Sequence, residues 1–571
     1  KGTLSFLPLL AVIGLLYLVL FRWPRRGRSQ SQPLSTPENW VRLEVRLETA
    51  SMELRELPGE TPKEISRARQ GFPRFAVVGT ALLVVITTLP YLFGYWRSTP
   101  DKIFMGIMLD VPDTLQYFAW MREMTHSWLI INPLTPEAND PAFFNLLWWG
   151  LAQFQRLTGF DQVLVYQLFR VGSIIFFGWL AWLFCQFILP GTLQRRVAFL
   201  LIMFGSGWGR IPVIFKQFTG SLANPLAVYV TEANSFLSAL AFPHELLSAG
   251  LILAIFYSAN KAYEAPGPAA RFKWGVGAAL LALILGLEHA YDLITVYAVP
   301  GCFFFLKSWQ SRRFDKKWFQ ILLVIGLVSS PPSLYFTYLT LTNPTWKGVL
   351  TQYGNAGVFT PDPLNLAILL GPMLALAVAG LWVPAPALPG ETPSDKNKDR
   401  WLFIKTWFVV GFVLIYIPTN FQIKLLNGWQ IPIFVLGLAA LFHIKDLWLA
   451  RSGRAAHPGK SLKYLNIGVG LLALAIVLPT TLYLFGWRFV DLNRARNPYF
   501  LERDEISAME WLSQDNQPPE VVLSSEELGE FIPALTGQRP FLAHWAMTLD
   551  YFTKRDQVKL VFDNTAAPGQ R

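Results

Sequence analysis

Two aspartates three residues apart lie just beyond an apolar run, in the stretch LDVPDTLQY at residues 109–117. A carboxylate at a membrane face can act as a general base toward a hydroxyl group, and it can also bind a metal ion. Asp110 and Asp113 are therefore candidate catalytic residues. The alternative is a solvated acidic loop in which Asp113 lies in the first turn of a helix marked by Pro112. The motif by itself leaves both interpretations open.

Three ionisable residues interrupt another apolar run, in LGLEHAYDL at residues 285–293. Ionisable side chains at membrane depth are costly, which makes each of them a candidate for function. Glu288 and Asp292 are four residues apart, so they share one helix face if the helix continues, and His289 is next to both. We interpret this trio as functional, with a buried and satisfied polar network as the alternative.

Further candidates lie in three other segments. NPLTPEANDPAFF contains Glu137, a candidate, and Asp140, which precedes a proline as turn residues often do. TEANSFLSALAFPHE is too hydrophobic for a free loop, and it predicts a short interfacial or re-entrant helix followed by His244. NFQIKLLNGWQIP holds Lys424, the lone cation of its loop. A phosphate at the headgroup level needs such a partner, although snorkelling is the simple alternative for this lysine.

The composition is that of a membrane protein. Of the 571 residues, 53% are hydrophobic and 15% are charged, whereas soluble domains carry about a quarter charged residues. The net charge of +11 comes from basic residues in the loops between apolar runs. This distribution is a topology signal, so we exclude nucleic acid as a partner. Walker, HExxH, GxSxG, CxxC and dinucleotide motifs are absent from any usable sequence context.

Twelve apolar runs of about 17–25 residues predict transmembrane helices. Lys and Arg cluster in the loops after the odd spans, and the loop 97–163 leans acidic. The positive-inside rule therefore places the N-terminus, the loop 97–163 and the C-terminal segment outside the cytoplasm. Within the fourth span, GSGWG at 205–209 favours close helix packing. The predicted spans are 4–20, 74–96, 164–189, 197–215, 243–261, 274–287, 291–308, 319–341, 363–383, 402–418, 430–447 and 464–487.

Four segments follow from this pattern. Residues 1–23 are predicted to form a transmembrane anchor, residues 24–73 a charged cytoplasmic linker, and residues 74–487 the transmembrane core. In residues 488–571, helix and strand patterns alternate, which indicates a small α/β layer with parallel strands. The predicted fold class is an α-helical polytopic membrane protein of about twelve transmembrane helices with a small C-terminal α/β extracytoplasmic domain.

Several stretches resemble the GT-C superfamily of membrane glycosyltransferases, which includes protein mannosyltransferases and aminoarabinose transferases. They resemble more specifically a group of large bacterial membrane proteins with the same layout. The resemblance covers roughly residues 75–565. Where the better-known enzymes have an adjacent Asp-Glu pair, this chain has Asp-Val-Pro-Asp at 110–113. The stretches are VPDTLQYFAWMRE, EANSFLSALAFPH, HAYDL, FQIKLLNGWQIP and ALTGQRPFLAHWAMTLDY.

This resemblance implies a GT-C-like core of about eleven helices in a bacterial cytoplasmic membrane. It implies an inverting glycosyltransferase that moves a sugar from a polyprenyl-phosphate donor to an acceptor at the extracytoplasmic face. Asp113, or Asp110 beside it, would deprotonate the acceptor, and Lys424 would hold the departing phosphate. The lipid-linked donor and membrane lipids are the expected partners, and a divalent metal ion is the cofactor that these carboxylates could bind, with no ligand assigned. The candidate substrate-binding residues are Glu137, His244, Glu288, His289, Asp292 and Lys424.

The alternative function is a non-catalytic transmembrane subunit or scaffold of a larger membrane complex. Residues 1–73, with their anchor and charged linker, would suit docking to a partner membrane protein. An enzyme needs a concave outer pocket in which Asp113 meets the acids at 288–292, whereas a scaffold needs none.

Overall fold

The protein is described by a computed structural model. The predicted span 4–20, the anchor 1–23 and nearly all of the linker 24–73 lie outside the described residues. From Val78 onward the described residues form a single unit, in which helices dominate. The described residues are 73–220, 230–355, 359–387, 392–452, 460–514 and 519–562.

The loop 97–163 folds into a short strand and two helices between two apolar helices. In chain order the elements are α1 (Arg74–Arg97), β1 (Lys102–Phe104), α2 (Val111–Met124), α3 (Leu146–Thr158) and α4 (Gln162–Ile188). Asn145 caps α3 by accepting hydrogen bonds from the amides of Leu147 and Trp148. Asp161 caps α4 in the same way, through the amide of Leu164. Both caps stand directly before an apolar run, which is why the two helices begin where they do.

The next part of the chain contains one span that the sequence predicts wrongly. Its elements are α5 (Thr192–Phe204), α6 (Arg210–Thr219), α7 (Ser235–Ala241), α8 (Pro243–Glu264), α9 (Pro268–Glu288), α10 (Leu293–Ser311) and α11 (Lys316–Thr342). The prediction of one continuous span at 197–215 is wrong, because the chain leaves the helical conformation between α5 and α6, within GSGWG. The adjacent predictions 274–287 and 291–308 correspond to two separate helices, α9 and α10, which meet at His289.

A second break lies opposite the first. The elements here are α12 (Pro344–Asn355), α13 (Pro363–Leu370), α14 (Pro372–Gly380), α15 (Asp395–Leu414), α16 (Gln430–Arg451) and α17 (Lys460–Asn493). The predicted span 363–383 bends by 101° between α13 and α14, at Gly371, whose φ of +64° suits glycine. The amide of Trp208 donates to the carbonyl of Leu369 at 2.5 Å. A Cβ on Gly207 would lie 1.7 Å from that oxygen, so the predicted role of GSGWG in close packing is confirmed.

Eight described helices are long and apolar enough to cross a membrane, or nine if the bent α13–α14 pair counts as one span. Eleven of the twelve predicted spans fall among the described residues. Two of these eleven do not match a helix that is long and apolar enough to cross a membrane. At 197–215, helix α5 has only 13 residues. At 402–418, helix α15 begins among charged residues. A bilayer core needs about 20 apolar residues. The described chain is therefore an α-helical membrane protein.

The C-terminal segment packs on the loop 97–163. Its elements are β2 (Phe500–Glu502), α18 (Arg503–Ser513), β3 (Val521–Val522), α19 (Glu526–Gly529), α20 (Ile532–Leu535), β4 (Arg539–Pro540) and α21 (Tyr551–Phe562). β3 and β4 pair in parallel, while β2 pairs antiparallel with β1 from the loop. One hydrophobic core holds Phe118 and Trp148 from the loop together with Met509 and Phe531 from the C-terminal segment. We call these two segments, 97–163 and 488–562, the cap.

Candidate active site

The first half of the site is an aspartate–histidine pair within the cap. Asp113 lies in the first turn of α2, where Pro112 favours the start of the helix. Its Oδ1 accepts a hydrogen bond from Nε2 of His544 at 2.7 Å. Nδ1 of His544 accepts from the amide of Ala546 at 3.1 Å. Because an amide can only donate, the imidazole proton must be on Nε2, and the neutral ring donates it to Asp113.

Asp110 and Asp113 have opposite pKa shifts. Burial opposes ionisation of Asp113, but the hydrogen bond from His544 and the charge of Lys424 outweigh it, so the pKa of Asp113 lies below its usual value. Asp110 reaches solvent, yet the surrounding protein, and then the Asp113 carboxylate, raise the pKa of Asp110 to about 7. Burial also raises the pKa of Glu530 to about 8, with both aspartates adding to the effect. Neighbouring carboxylates with separated pKa values are typical of acid–base sites.

The second half of the site is a charged cluster at the ends of the membrane helices. Lys424 Nζ lies 2.5 Å from a carboxylate oxygen of Glu232 and 3.1 Å from one of Glu245. The Lys424 side chain keeps 23% of its surface exposed, while the two glutamates are buried. Paired in this way, the ions avoid the cost of isolated buried charge. The two glutamates therefore do not cover the lysine side chain completely.

The predicted trio at 288–292 forms the other side of this cluster. His289 lies 3.5 Å from Glu288 and 3.3 Å from Asp292. Asn427 donates to Asp292 at 3.0 Å. Among the described residues, however, no hydrogen bond reaches either carboxylate oxygen of Glu288 or Oδ1 of Asp292, although both residues are buried. Buried polar atoms normally have hydrogen-bond partners. The alternative interpretation of this trio, a polar network in which every group has its partner, therefore does not describe it.

Tyr117 joins the two halves. It lies one helical turn after Asp113 and so shares its face of α2. Its hydroxyl group is 3.2 Å from Nε2 of His244, and the ring of His244 lies 5.3 Å from the ring of His289. The Tyr117 ring also stacks on Trp148 at 4.4 Å, which fixes its direction. The cap therefore contacts the polar cluster at the helix ends through Tyr117.

Seven of the eight predicted site residues lie in the two halves of the site. They are Asp110, Asp113, His244, Glu288, His289, Asp292 and Lys424. Glu137 lies apart, because its carboxylate pairs with Lys554 and the hydroxyl group of Thr135. These contacts lower the pKa of Glu137 against the opposing effect of burial. Glu137 therefore helps to hold the C-terminal segment on the loop.

Sequence reasoning did not select His544, Tyr117 or Glu530 as site residues. His544 belongs to the strand-like stretch RPFLAHW and lies 431 residues from its partner Asp113. Tyr117 follows Asp113 at helical spacing, which was the one available signal for it. Glu530 lies in a polar segment where an acid is ordinary.

A cavity lies on the other face of α2. It has a volume of about 630 Å³, and its described lining includes Leu115, Phe118, Arg122 and Phe531 but no acid of either half of the site. Asp110 is exposed, and the side chain of Asp113 is 25% exposed. The acidic pair thus meets solvent directly, and this cavity is not the outer pocket, shared by Asp113 and the acids at 288–292, that the enzyme hypothesis predicts.

Three residues of the cluster could hold a metal ion. His244, Glu245 and His289 each offer a ligand atom, and these atoms lie within 4.8 Å of one another. Among the described residues, none forms a hydrogen bond with Nδ1 of His244. Imidazole and carboxylate bind zinc at about 2.0–2.2 Å, so ligands of one ion lie at most about 4.4 Å apart. The distances between the ligand atoms would have to shorten by a few tenths of an ångström, which small changes in the side-chain torsion angles can provide.

Solved structures of an oligosaccharyltransferase and of ArnT align with this chain at low sequence identity. The oligosaccharyltransferase of Archaeoglobus fulgidus, in complex with Zn and sulfate, aligns with a TM-score of 0.51 and 12% identity over 81% of this chain and 62% of its own. The apo form of the same enzyme aligns with a TM-score of 0.48 and 12% identity, over 82% of this chain and 64% of its own. ArnT from Cupriavidus metallidurans, bound to undecaprenyl phosphate, aligns with a TM-score of 0.47 and 13% identity, over 86% of this chain and 89% of its own.

This chain spans about three fifths of the length of the archaeal enzyme. No protein-family model matches the chain, and no curated protein matches it. At 12% identity the likeness concerns the fold. The resemblance to GT-C glycosyltransferases predicted from the sequence is confirmed at that level.

Proposed function

We propose that this chain is an inverting glycosyltransferase that moves a sugar from a polyprenyl-phosphate donor to an acceptor at the extracytoplasmic face of a bacterial cytoplasmic membrane. The observation that carries the proposal is the proximity of the two halves: Tyr117, one helical turn after Asp113, contacts His244 of the cluster, and the charge of Lys424 acts on the Asp113 carboxylate. A base and a phosphate-binding cation on one surface are what glycosyl transfer from a phosphate requires. The fold shared with a known oligosaccharyltransferase agrees with this reading.

Each part of the site has a role in the proposed reaction. Asp113, kept ionised, accepts the proton of the acceptor hydroxyl as it attacks the anomeric carbon. The donor phosphate leaves from the opposite side, which inverts the configuration. Lys424 balances the charge that grows on the departing phosphate. Glu288, His289 and Asp292 orient the sugar or the acceptor from the other side of the Lys424 cluster.

The proposed orientation is supported by charges at the opposite end of the helices. Glu245 is in the first turn of α8, and Glu264 is its last residue. Glu264 binds Arg400 at 2.6 Å, and nearby Lys307 binds Asp399 at 2.6 Å. Cations outnumber acids at the helix ends around these pairs, and the positive-inside rule assigns such a basic end to the cytoplasm. The further cations there are Lys261, Arg271, Lys273, Arg312, Arg313, Lys316 and Lys317. The site then faces the other side, where the acceptor would be presented.

The experiment that tests the function is a transfer assay in lipid nanodiscs. The purified chain is incubated with undecaprenyl phosphates that carry hexoses, pentoses or amino sugars, together with lipid and glycan extracts as acceptors. Liquid chromatography with mass spectrometry then measures the undecaprenyl phosphate released. We expect acceptor-dependent release from at least one donor. Release from none of them would favour the scaffold alternative.

The rate of transfer is expected to rise as the pH passes through about 7. The surrounding protein, and then the charge of Asp113, raise the pKa of Asp110 to about 7, so Asp110 gains its negative charge there. This charge strengthens Asp113 as a base and stabilises the positive anomeric carbon. Lys424, His544, Glu232 and Glu530 also face Asp110, and the variant Asp110→Asn leaves all four in place. Asp110→Asn should flatten the profile between about pH 6 and 8, and a variant that keeps the inflection would contradict this assignment.

We also propose that His244, Glu245 and His289 bind a divalent metal ion. A bound cation would supply positive charge beside the donor phosphate. Metal analysis of the purified chain should find about one ion per chain, reduced at least several-fold by His244→Ala or His289→Ala. His126→Ala, at an exposed position, is the control. Equal metal content in all four proteins would exclude the site.

A further inference from the structure

The 543–549 turn of the C-terminal segment is held in place from two sides. The carbonyl of His544 accepts from the amides of Met547 and Thr548, which closes the turn. Thr548 Oγ1 donates to the carbonyl of Leu134 at 2.7 Å. Gln352 of α12 donates to the carbonyls of Trp545 and Thr548 at 2.6 and 2.7 Å. A turn with this many fixed backbone groups holds its side chains in one direction.

The ring of His544 is fixed as firmly as its backbone. It is 2% exposed, stacks on Trp545 with centroids 5.6 Å apart, and has its Nδ1 occupied by the amide of Ala546. The single remaining polar atom, Nε2, points at Asp113. A carboxylate has two oxygens, and His544 uses only Oδ1. The other oxygen is left for the 25% of the side chain that solvent reaches.

We infer that His544 is a positioning residue, which holds the Asp113 carboxylate with one oxygen bound and the other directed to the acceptor hydroxyl, so that the C-terminal segment completes the active site. This inference rests on the function proposed above. A fixed donor also favours the ionised carboxylate over the protonated one. The same contact could serve folding alone, and the tests below separate the two roles.

The first test reads the environment of position 113 without any sugar transfer. Asp113→Cys is made in a full-length chain with Cys185→Ala and Cys302→Ala, and its rate of alkylation by iodoacetamide is measured against pH. A donor beside a thiol lowers its pKa. We expect the thiol to titrate about one pH unit lower, with about tenfold faster alkylation at pH 7, than in the same protein carrying His544→Phe. Asp110, Lys424 and Glu530 face this position in both proteins. Equal titration curves would overturn the inference.

The second test uses the transfer assay with Asp113 intact. His544→Phe is expected to lower kcat by about 10- to 100-fold, as loss of a supporting hydrogen bond does elsewhere, with the donor KM within about twofold. His544→Gln keeps an amide donor near Nε2 and should recover most of the loss. Wild-type kcat in His544→Phe, or no difference between the two variants, would contradict positioning. If the wild type transfers nothing, the proposed function fails, and the thiol titration alone decides the role of His544.

Discussion

Asp113→Asn is expected to lower the rate of undecaprenyl phosphate release by about 10²- to 10⁴-fold, the usual contribution of a general base. The amide has the size of the carboxylate and can still accept a hydrogen bond from His544, so the cap keeps its structure. It cannot take up a proton from the acceptor. The donor KM should therefore change little, because the loss falls on the transition state.

The matched control for this prediction is Asp140→Asn. Asp140 is an exposed acid of the same loop, and its replacement should leave the rate within about twofold. Thermal unfolding of both variants shows whether the fold is preserved. A rate within tenfold of wild type for Asp113→Asn would remove Asp113 from the role of base.

Lys424→Met is expected to weaken both the fold and the binding of undecaprenyl phosphate. The substitution leaves Glu232 and Glu245 buried without their cation, and breaking a buried ion pair costs about 3–5 kcal/mol. Because the lysine is partly exposed, we expect the low end of that range. Loss of one charge-assisted hydrogen bond to phosphate, about 1.5–3 kcal/mol, corresponds to a roughly 10- to 100-fold rise in Kd.

A triple variant separates these two effects. Adding Glu232→Gln and Glu245→Gln to Lys424→Met removes the unpaired charges, so the unfolding temperature should return toward wild type. Binding of undecaprenyl phosphate, measured by native mass spectrometry with EDTA in the wild-type and variant samples so that a metal ion at Glu245 does not contribute, should stay weak. Recovery of wild-type affinity in the triple variant would show that Lys424 stabilises the cluster and does not bind phosphate.

Helix positions could be predicted from the sequence wherever a local signal existed. Long apolar runs specified helices such as α1 and α4, whereas α3, which begins at its cap Asn145, was not predicted. The two broken spans did carry breaker signals, GSGWG in one and Gly371-Pro372 in the other, but the apolar runs around them predicted continuous helices. Their breaks meet through the contact of Trp208 with Leu369, and a contact between segments so far apart in the chain is invisible to periodicity.

The same distinction applies to the candidate site. Asp113, Glu288 and Lys424 could be selected because a charge beside or within an apolar run is costly and needs a reason. His544 could not be selected in this way, because a histidine in a polar segment carries no such cost and needs no special explanation. Its importance comes from the fold of the cap, which brings it to 2.7 Å from Asp113 across 431 residues.

If the cap and the cluster around Lys424 form one donor site, a cryo-electron microscopy map of the chain in nanodiscs with undecaprenyl phosphate should show it most directly. We expect phosphate density within hydrogen-bond distance of Lys424 Nζ, with space for an acceptor between the phosphate and Asp113. Phosphate density elsewhere on the protein, with the Lys424 ion pairs unchanged, would contradict it.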